Sequence, residues 1–128
     1  MNREELTNYI AGIYAVRPDY PWEGEPTYAV FRHARNRKWF ALILEVPKRK
    51  LGLDEEGSVD VENLKCDPRV IGSLRGEKGF FPAYHMNKDH WITAALDGTA
   101  DADKIRLLLD MSFDLTAKQG RKQRPPAD

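Results

Sequence analysis

The sequence has little cysteine and no net charge. Cys66 is its single cysteine, so an intramolecular disulfide is excluded and a reducing compartment is the expected setting. Twenty Lys and Arg residues balance twenty Asp and Glu residues, which leaves no overall field that would attract nucleic acid or an anionic membrane. Total charge therefore argues neither for nor against a nucleic-acid function.

Long apolar runs are also missing. No stretch approaches the roughly 18 consecutive apolar residues that a membrane-spanning helix needs, and the N-terminal sequence MNREE has no apolar signal-peptide core. The content of 41% hydrophobic and 31% charged residues is typical of a soluble globular domain. We therefore expect a soluble, cytoplasmic protein with no membrane partner, in which residues 1–119 form one domain and residues 120–128 a polar, disordered tail.

Hydrophobic periodicity predicts the order helix, three strands, helix, two strands, helix. The first helix begins at an Asn2–Glu5 capping box and ends near Val16, and Asp101 caps the last helix. The middle helix is predicted over residues 68–74. The strands are predicted at residues 27–31, 38–46, 59–64, 80–86 and 90–96. The third strand alternates polar and apolar residues, so one of its faces is expected to meet solvent.

The grouping of these elements indicates the fold class. Strands that are grouped between helices, and do not alternate with them, favour an α+β two-layer sandwich over a parallel doubly wound sheet. We therefore predict an antiparallel sheet with helices packed on it.

Several ordered blocks between residues 3 and 119 closely resemble the MmcQ/YjbR family. They read YPWEGEP (20–26), KWFA (38–41), NLKCDP (63–68), PAYHMNKDHWIT (82–93), LDG (96–98) and SFDLT (112–116). Ordered multi-residue blocks are far more specific than a lone short motif. The resemblance implies a compact α+β fold similar to that of frataxin-like CyaY proteins and of secretion chaperones. It also implies DNA binding through a "double-wing" pair of hairpins.

Local charge suggests where nucleic acid would bind. Residues 31–50 carry seven basic residues against one acid, whereas residues 52–62 carry five acids and no base. The candidate contacts are Arg32, Arg35, Arg37, Lys38, Lys48, Arg49 and Lys50. A hairpin end rich in Arg and Lys suits phosphate contacts, and His33 and Trp39 could stack on unpaired bases.

Two interpretations of these basic residues stay open. One is weak, salt-sensitive and sequence-independent DNA binding; the other is a charged hairpin tip that only keeps a sheet edge soluble. The basic residues of the tail, which could add a flexible arm or merely solubilise the chain, are Lys118, Arg121, Lys122 and Arg124.

The block at residues 82–93 gives an alternative function, a module that binds a small molecule or a protein partner. The candidate pocket residues, which Glu25 could join, are Trp22, Tyr84, His85, Lys88, His90 and Trp91. The competing interpretation makes Trp22 and Trp91 core anchors, with the polar residues satisfying loop backbone.

Catalytic and metal-binding motifs are not recognisable. Cys66, Asp67, His85, Asp89 and His90 are zinc-ligand types, but they lack the spacing of CxxC, HxxxH or HExxH sites. A frataxin-like fold would suggest iron binding by an acidic first helix. Here that helix has only two acidic residues, Glu4 and Glu5, near its start. Cys66 is expected to be buried and not nucleophilic, although it precedes a helix N-terminus. We therefore expect no enzyme, no metal and no cofactor.

Overall fold

The computed structural model describes residues 1–117. It contains three α-helices and five β-strands in the predicted order. These elements are α1 (Arg3–Tyr14), β1 (Ala29–Arg32), β2 (Trp39–Pro47), β3 (Ser58–Lys65), α2 (Pro68–Leu74), β4 (Phe80–Pro82), β5 (Trp91–Ala95) and α3 (Ala102–Ala117). A short 3₁₀ helix, Lys48–Leu51, follows β2. The predicted α+β class is confirmed, and the predicted tail lies outside the described residues.

The strands form one antiparallel sheet in the order β1-β2-β3-β5-β4. The strands β2 and β3 pair along most of their length, from Ala41 opposite Leu64 to Pro47 opposite Ser58. β3 is the central strand, and its residues 61–64 are buried on both faces.

Three helices cover one face of the sheet. The buried residues Leu6 and Ile10 of α1 and Ile105 and Leu109 of α3 belong to one core with Phe40 of β2. The predicted capping box starts α1: the Asn2 side chain accepts from the Glu5 amide at 2.8 Å, and the Glu5 carboxylate accepts from the Asn2 amide at 2.9 Å. Within residues 1–117, no helix is long and apolar enough to cross a bilayer.

Loops cover much of the opposite face. A second apolar cluster lies there, made of Val30, Leu42, Leu44, Val46, Val59 and Val61. The residues packed on it include Tyr28, Tyr84 and Met86, which belong to the loops at residues 20–28 and 83–90. This loop-covered face is where a ligand could approach the sheet.

Two expectations about the strands were wrong. The predicted strand at 80–86 ends at Pro82, because the Tyr84 amide turns to the Thr93 hydroxyl and His85 takes a positive φ of 61°. The third strand has no solvent-exposed face over its middle: Glu62 is fully buried on the helix side, and Asn63 is fully buried on the loop side. Polar alternation cannot predict this, because it assumes that polar side chains face water.

Candidate ligand-binding pocket

A concave pocket of about 340 Å³ lies on the loop-covered face. Leu42 and Leu44 of β2 and Asn63 of β3 form its floor, and the two loops supply its walls. We call it the aromatic pocket; its lining residues are Trp22, Glu25, Tyr28, Trp39, Leu42, Leu44, Asn63, His85 and Met86.

Three aromatic rings form a corner of the aromatic pocket. The Trp22 ring lies 5.7 Å from that of Trp39 and 6.0 Å from that of Tyr28, with interplanar angles of 85° and 82°. Trp22 stays 37% exposed, so the rings do not close the pocket. Edge-to-face contacts of this kind are favourable and fix the ring orientations.

Backbone hydrogen bonds hold the loop that carries Trp22. Asp19 forms an isolated antiparallel bridge with Val30 of β1, with N–H···O distances of 3.0 and 2.9 Å. Two tight turns follow, in which the Glu25 amide donates to the Trp22 carbonyl and the Tyr28 amide to the Glu25 carbonyl, both at 3.1 Å. The loop therefore presents Trp22, Glu25 and Tyr28 from a defined backbone.

A buried polar network ties the other loop to the sheet. The Asn63 amide group donates to the Tyr84 carbonyl at 2.8 Å, and the Thr93 hydroxyl donates to the Asn63 side-chain oxygen at 2.5 Å. The same hydroxyl accepts from the Tyr84 amide at 2.9 Å. Because every member is satisfied, the network fixes the start of the loop on the floor of the pocket.

His85 follows this anchored peptide in a left-handed conformation. Its φ of 61° is uncommon for a residue with a Cβ atom, and its ring packs on Tyr84 with the centroids 3.9 Å apart. Such conformations cluster at functional sites, where the surrounding structure holds them in place. Here the backbone turns His85 into the wall of the aromatic pocket.

The ionisable groups of the aromatic pocket are few. Burial raises the pKa of the Tyr28 hydroxyl, and the nearby Glu25 carboxylate and Tyr84 raise it further, so Tyr28 stays neutral at physiological pH. Glu25 is the one carboxylate among the described residues that line the pocket.

A second, more polar groove of about 380 Å³ adjoins the aromatic pocket through His85. We call it the lysine groove; its lining residues are Lys50, Leu51, Phe81, Pro82, Ala83, Tyr84, His85 and Lys88. The Lys88 ammonium donates to the Ala83 carbonyl at 2.9 Å, which closes the loop on itself.

Some of the predicted pocket residues line the aromatic pocket, some line the lysine groove, and His90 and Trp91 line neither of the two. Trp22 and His85 line the aromatic pocket, while Tyr84, His85 and Lys88 line the lysine groove. Trp91 packs against the second apolar cluster, as the core interpretation expected. His90 is exposed, and its backbone carbonyl accepts a hydrogen bond from the Cys66 amide at 2.8 Å.

Sequence reasoning missed part of the lining, namely Tyr28, Trp39, Leu42, Leu44, Asn63 and Met86. The alternation in β2 could have placed Leu42 and Leu44 on one face. It would have put Trp39 on the other face, and only the irregular pairing at Phe40, where Phe31 opposes Ala41 and Arg32 opposes Trp39, brings Trp39 to theirs. Nothing in the sequence shows that loops, and not a helix, cover that face.

The basic candidates lie at two ends of one strand. Arg35, Arg37 and Lys38 precede β2 and are exposed, whereas Lys48, Arg49 and Lys50 follow it. A strand of nine residues spans about 26 Å. The candidate residues therefore do not form one continuous basic tip.

Ion pairs also neutralise part of this set. Lys48 pairs with Glu55 at 3.0 Å, and Arg49 approaches Glu56 at 3.9 Å, so the acidic segment folds beside the basic one. At the other end of β2, Arg32 pairs with Asp19 at 3.0 Å, and its guanidinium lies 5.6 Å from the centre of the Trp39 ring.

The β1–β2 turn is fixed by Asn36. The Asn36 side chain donates to the carbonyls of Thr116 and Ala117 at 3.0 and 3.3 Å and accepts from the Lys38 amide at 2.9 Å. The turn is thereby joined to the end of α3, while Arg35 and Arg37 project to solvent. His33, a candidate stacking group, is buried against Phe40 and Phe113 and so is not available to bases.

Cys66 is a buried thiol. Burial raises its pKa to about 11, and the neighbouring Asp67 carboxylate adds to the shift, so the thiolate is scarce at neutral pH. The adjacent helix N-terminus does not outweigh these two effects. Within residues 1–117, no three His, Cys, Asp or Glu side chains gather closely enough to hold a metal ion.

Comparison with known proteins gives consistent matches. The family model YjbR matches residues 11–115. The "Uncharacterized protein YyaQ" of Bacillus subtilis (strain 168) is 43% identical over 116 residues, which cover 91% of this chain and 98% of that protein.

Solved structures match as well. A crystal structure of a Pseudomonas syringae protein superposes with a TM-score of 0.89 at 48% identity, covering 91% of this chain and 99% of that one. A Deinococcus radiodurans protein described by the domain name DUF419 gives a TM-score of 0.68 at 26% identity, over 93% of this chain and 80% of that one.

Proposed function

This chain belongs to the YjbR family, and we propose its function from its own geometry. It is a non-enzymatic binding protein that takes a small ligand, or one side chain of a partner, into the aromatic pocket. The observation that carries this proposal is the concave, aromatic-walled pocket on the sheet face that the loops cover.

The size and chemistry of the pocket support this function. Ligand pockets commonly enclose about 300–1,000 Å³, with mostly apolar walls and a few placed polar groups. The aromatic pocket has a volume of about 340 Å³, and the exposed Glu25 and His85 supply polar groups in its lining. These groups would orient a ligand whose apolar part contacts the aromatic walls.

The order of the two loops also supports the proposed binding function. The Asn63–Thr93 network and the Asp19–Val30 bridge hold both loops before any ligand arrives. A site that is already ordered loses less conformational entropy on binding, so more of the contact energy appears as affinity.

The test is a fragment screen followed by NMR of the three tryptophan indoles. Trp22 and Trp39 line the pocket and Trp91 does not, so a true ligand shifts the first two indole N–H signals and leaves the third. We expect Trp22→Ser to weaken binding by about tenfold or more, since it removes a contacting ring.

Tyr20→Ser is the matched control for this test. Tyr20 lies in the same loop and is 56% exposed, but it does not line the aromatic pocket. It should leave affinity unchanged. A fragment set that moves no indole signal, or equal losses in both variants, would contradict the proposal.

Nucleic-acid binding at the β1–β2 turn is a second candidate function. The observation that favours it is the Asn36 anchor, which holds the turn rigid while the exposed Arg35 and Arg37 face solvent. Phosphate contacts from such a turn would be sequence-independent and sensitive to salt.

A labelled duplex titrated at increasing salt tests this candidate. Arg35→Glu combined with Arg37→Glu should reduce affinity by about tenfold or more at low salt, because two phosphate contacts become repulsive. The matched control combines Arg49→Glu with Lys50→Glu at the opposite end of β2 and should change affinity by less than about twofold. Absence of binding by the unaltered protein at low salt would exclude the function.

A further inference from the structure

We propose that the aromatic pocket recognises a compact organic cation, an alkylated ammonium group, with Glu25 as its counter-ion. This inference rests on the proposed binding function and names its ligand class. Three features of the pocket carry it: the angles between the rings, the charge of the lining and the apolar floor.

The ring angles favour a rounded group over a flat one. Trp22 stands nearly perpendicular to both Trp39 and Tyr28, at 85° and 82°. A nucleobase stacks best between parallel rings, and Trp22 is parallel to neither of the two rings that it contacts. A tetrahedral ammonium group instead presents methyl groups in every direction and can contact rings that meet at a corner.

The charge of the lining favours a cation. The faces of indole and phenol rings are electron-rich and attract positive charge. Glu25 adds a carboxylate beside them, whereas Lys50 and Lys88 line the neighbouring lysine groove. The protein itself already places a cation on one of these rings, because the Arg32 guanidinium lies 5.6 Å from the centre of Trp39.

The floor favours an alkylated cation over a primary amine. Leu42 and Leu44 on the floor, with Met86 on the adjoining wall, offer methyl and thioether surface, against which N-methyl groups can pack. A primary ammonium is strongly hydrated and needs several acceptors to replace its water. An alkylated ammonium has few or no N–H groups to satisfy and leaves water at a lower cost.

The test compares shape-matched probes on the full chain. Choline chloride carries a trimethylammonium group, 3,3-dimethylbutan-1-ol carries the same shape without charge, and AMP carries a flat base. The readout is the shift of the indole N–H signals, with sodium chloride holding the ionic strength constant. Choline should shift Trp22 and Trp39 but not Trp91, and it should bind about tenfold tighter than the neutral alcohol.

Glu25→Gln isolates the counter-ion. It should weaken choline binding by about threefold, an effect limited by solvent screening of an exposed carboxylate, and leave the neutral alcohol unaffected. Glu23→Gln removes an exposed carboxylate from the same loop outside the pocket lining, and it should change neither affinity.

The outcomes separate the two proposals. If the alcohol or AMP moves the same indoles as strongly as choline does, or choline alone fails to bind, the cation class is overturned while the binding function stands. If no probe and no fragment moves Trp22 or Trp39, the binding function fails and the cation class fails with it.

Discussion

At the scale of single residues, Glu62 places a carboxyl group in the hydrophobic core. It lies on the helix-facing side of β3, between Ile43 and Ala94 on the neighbouring strands, and is fully buried. Within residues 1–117, neither carboxyl oxygen has a hydrogen-bond partner. Burial therefore raises the pKa of Glu62 well above its ordinary value, which favours the neutral form of the carboxyl group in the core.

Replacement of this carboxyl should stabilise the protein. We expect Glu62→Met, which keeps the length of the side chain, to raise the free energy of unfolding at pH 7 by about 1–3 kcal/mol, because an unsatisfied polar group leaves the core. Urea unfolding of both proteins measures the difference.

The difference in the free energy of unfolding between the two proteins should depend on pH. A folded-state pKa above the unfolded one gives stability that is present at low pH and is lost as pH rises through the folded pKa. From pH 5 upwards, the free energy of unfolding of the unaltered protein should therefore fall by up to about 1.4 kcal/mol per pH unit relative to that of Glu62→Met.

Glu45→Met on β2 is the control for this dependence. Glu45 is exposed, so its replacement should change neither the free energy of unfolding at pH 7 nor the pH dependence. A Glu62→Met protein that is less stable at every pH would show that the carboxyl has a partner of its own in the core.

At the scale of elements, the junction between β4 and α3 depends on one glycine. Gly79 precedes β4 with φ of 87°, and its carbonyl accepts from the Ala95 amide of β5 at 2.8 Å. A Cβ atom at this position would lie 2.4 Å from the backbone nitrogen of Ala100, just before α3. The glycine thus lets the β4 edge approach the start of the last helix.

Gly79→Ala should destabilise the protein by about 3 kcal/mol or more, since it adds a backbone clash to an unfavourable φ. Gly98→Ala is the matched control: its φ is 91°, but nothing lies within 4 Å of the added atom. It should cost about 1 kcal/mol. Chemical denaturation of the two variants measures both values, and equal losses would show that the contact with Ala100 relaxes freely.

Element prediction succeeded where local chemistry decides the structure. The Asn2 capping box and the Asp101 side chain, which accepts from the Asp103 amide, begin helices as predicted. The middle helix spans the predicted residues 68–74, and the Asp67 side chain caps it by accepting from the Arg69 amide. It failed at β4, because the Tyr84 amide donates to the side-chain hydroxyl of Thr93 on β5 and the strand does not continue. Such a partner is invisible in a local window of sequence.

At the scale of the whole molecule, the two faces of the sheet have different covers. Helices pack on one face and loops on much of the other, and the aromatic pocket lies among the loops. Loops that are anchored on a rigid sheet are a common place for binding sites, because they can vary without loss of the core.

The distribution of charge in the folded molecule differs from the distribution along the sequence. The basic and acidic stretches are separate along the chain, yet the fold places Glu55 and Glu56 beside Lys48 and Arg49. The basic residues that looked like one surface are divided between the two ends of β2. Segregation of charge in sequence therefore does not imply segregation in space.

The sequence by itself determined the α+β class, the order of helices and strands, the helix caps at Asn2 and Asp101 and the membership in the YjbR family, because these depend on local propensity and on ordered motifs. Tertiary structure alone decided that Glu62 and Asn63, adjacent in β3, are both buried on opposite faces. It also decided that Trp22 meets both Tyr28 and Trp39 at nearly right angles. The physical reason is that burial and ring geometry depend on contacts between segments far apart in the chain, which no local pattern contains.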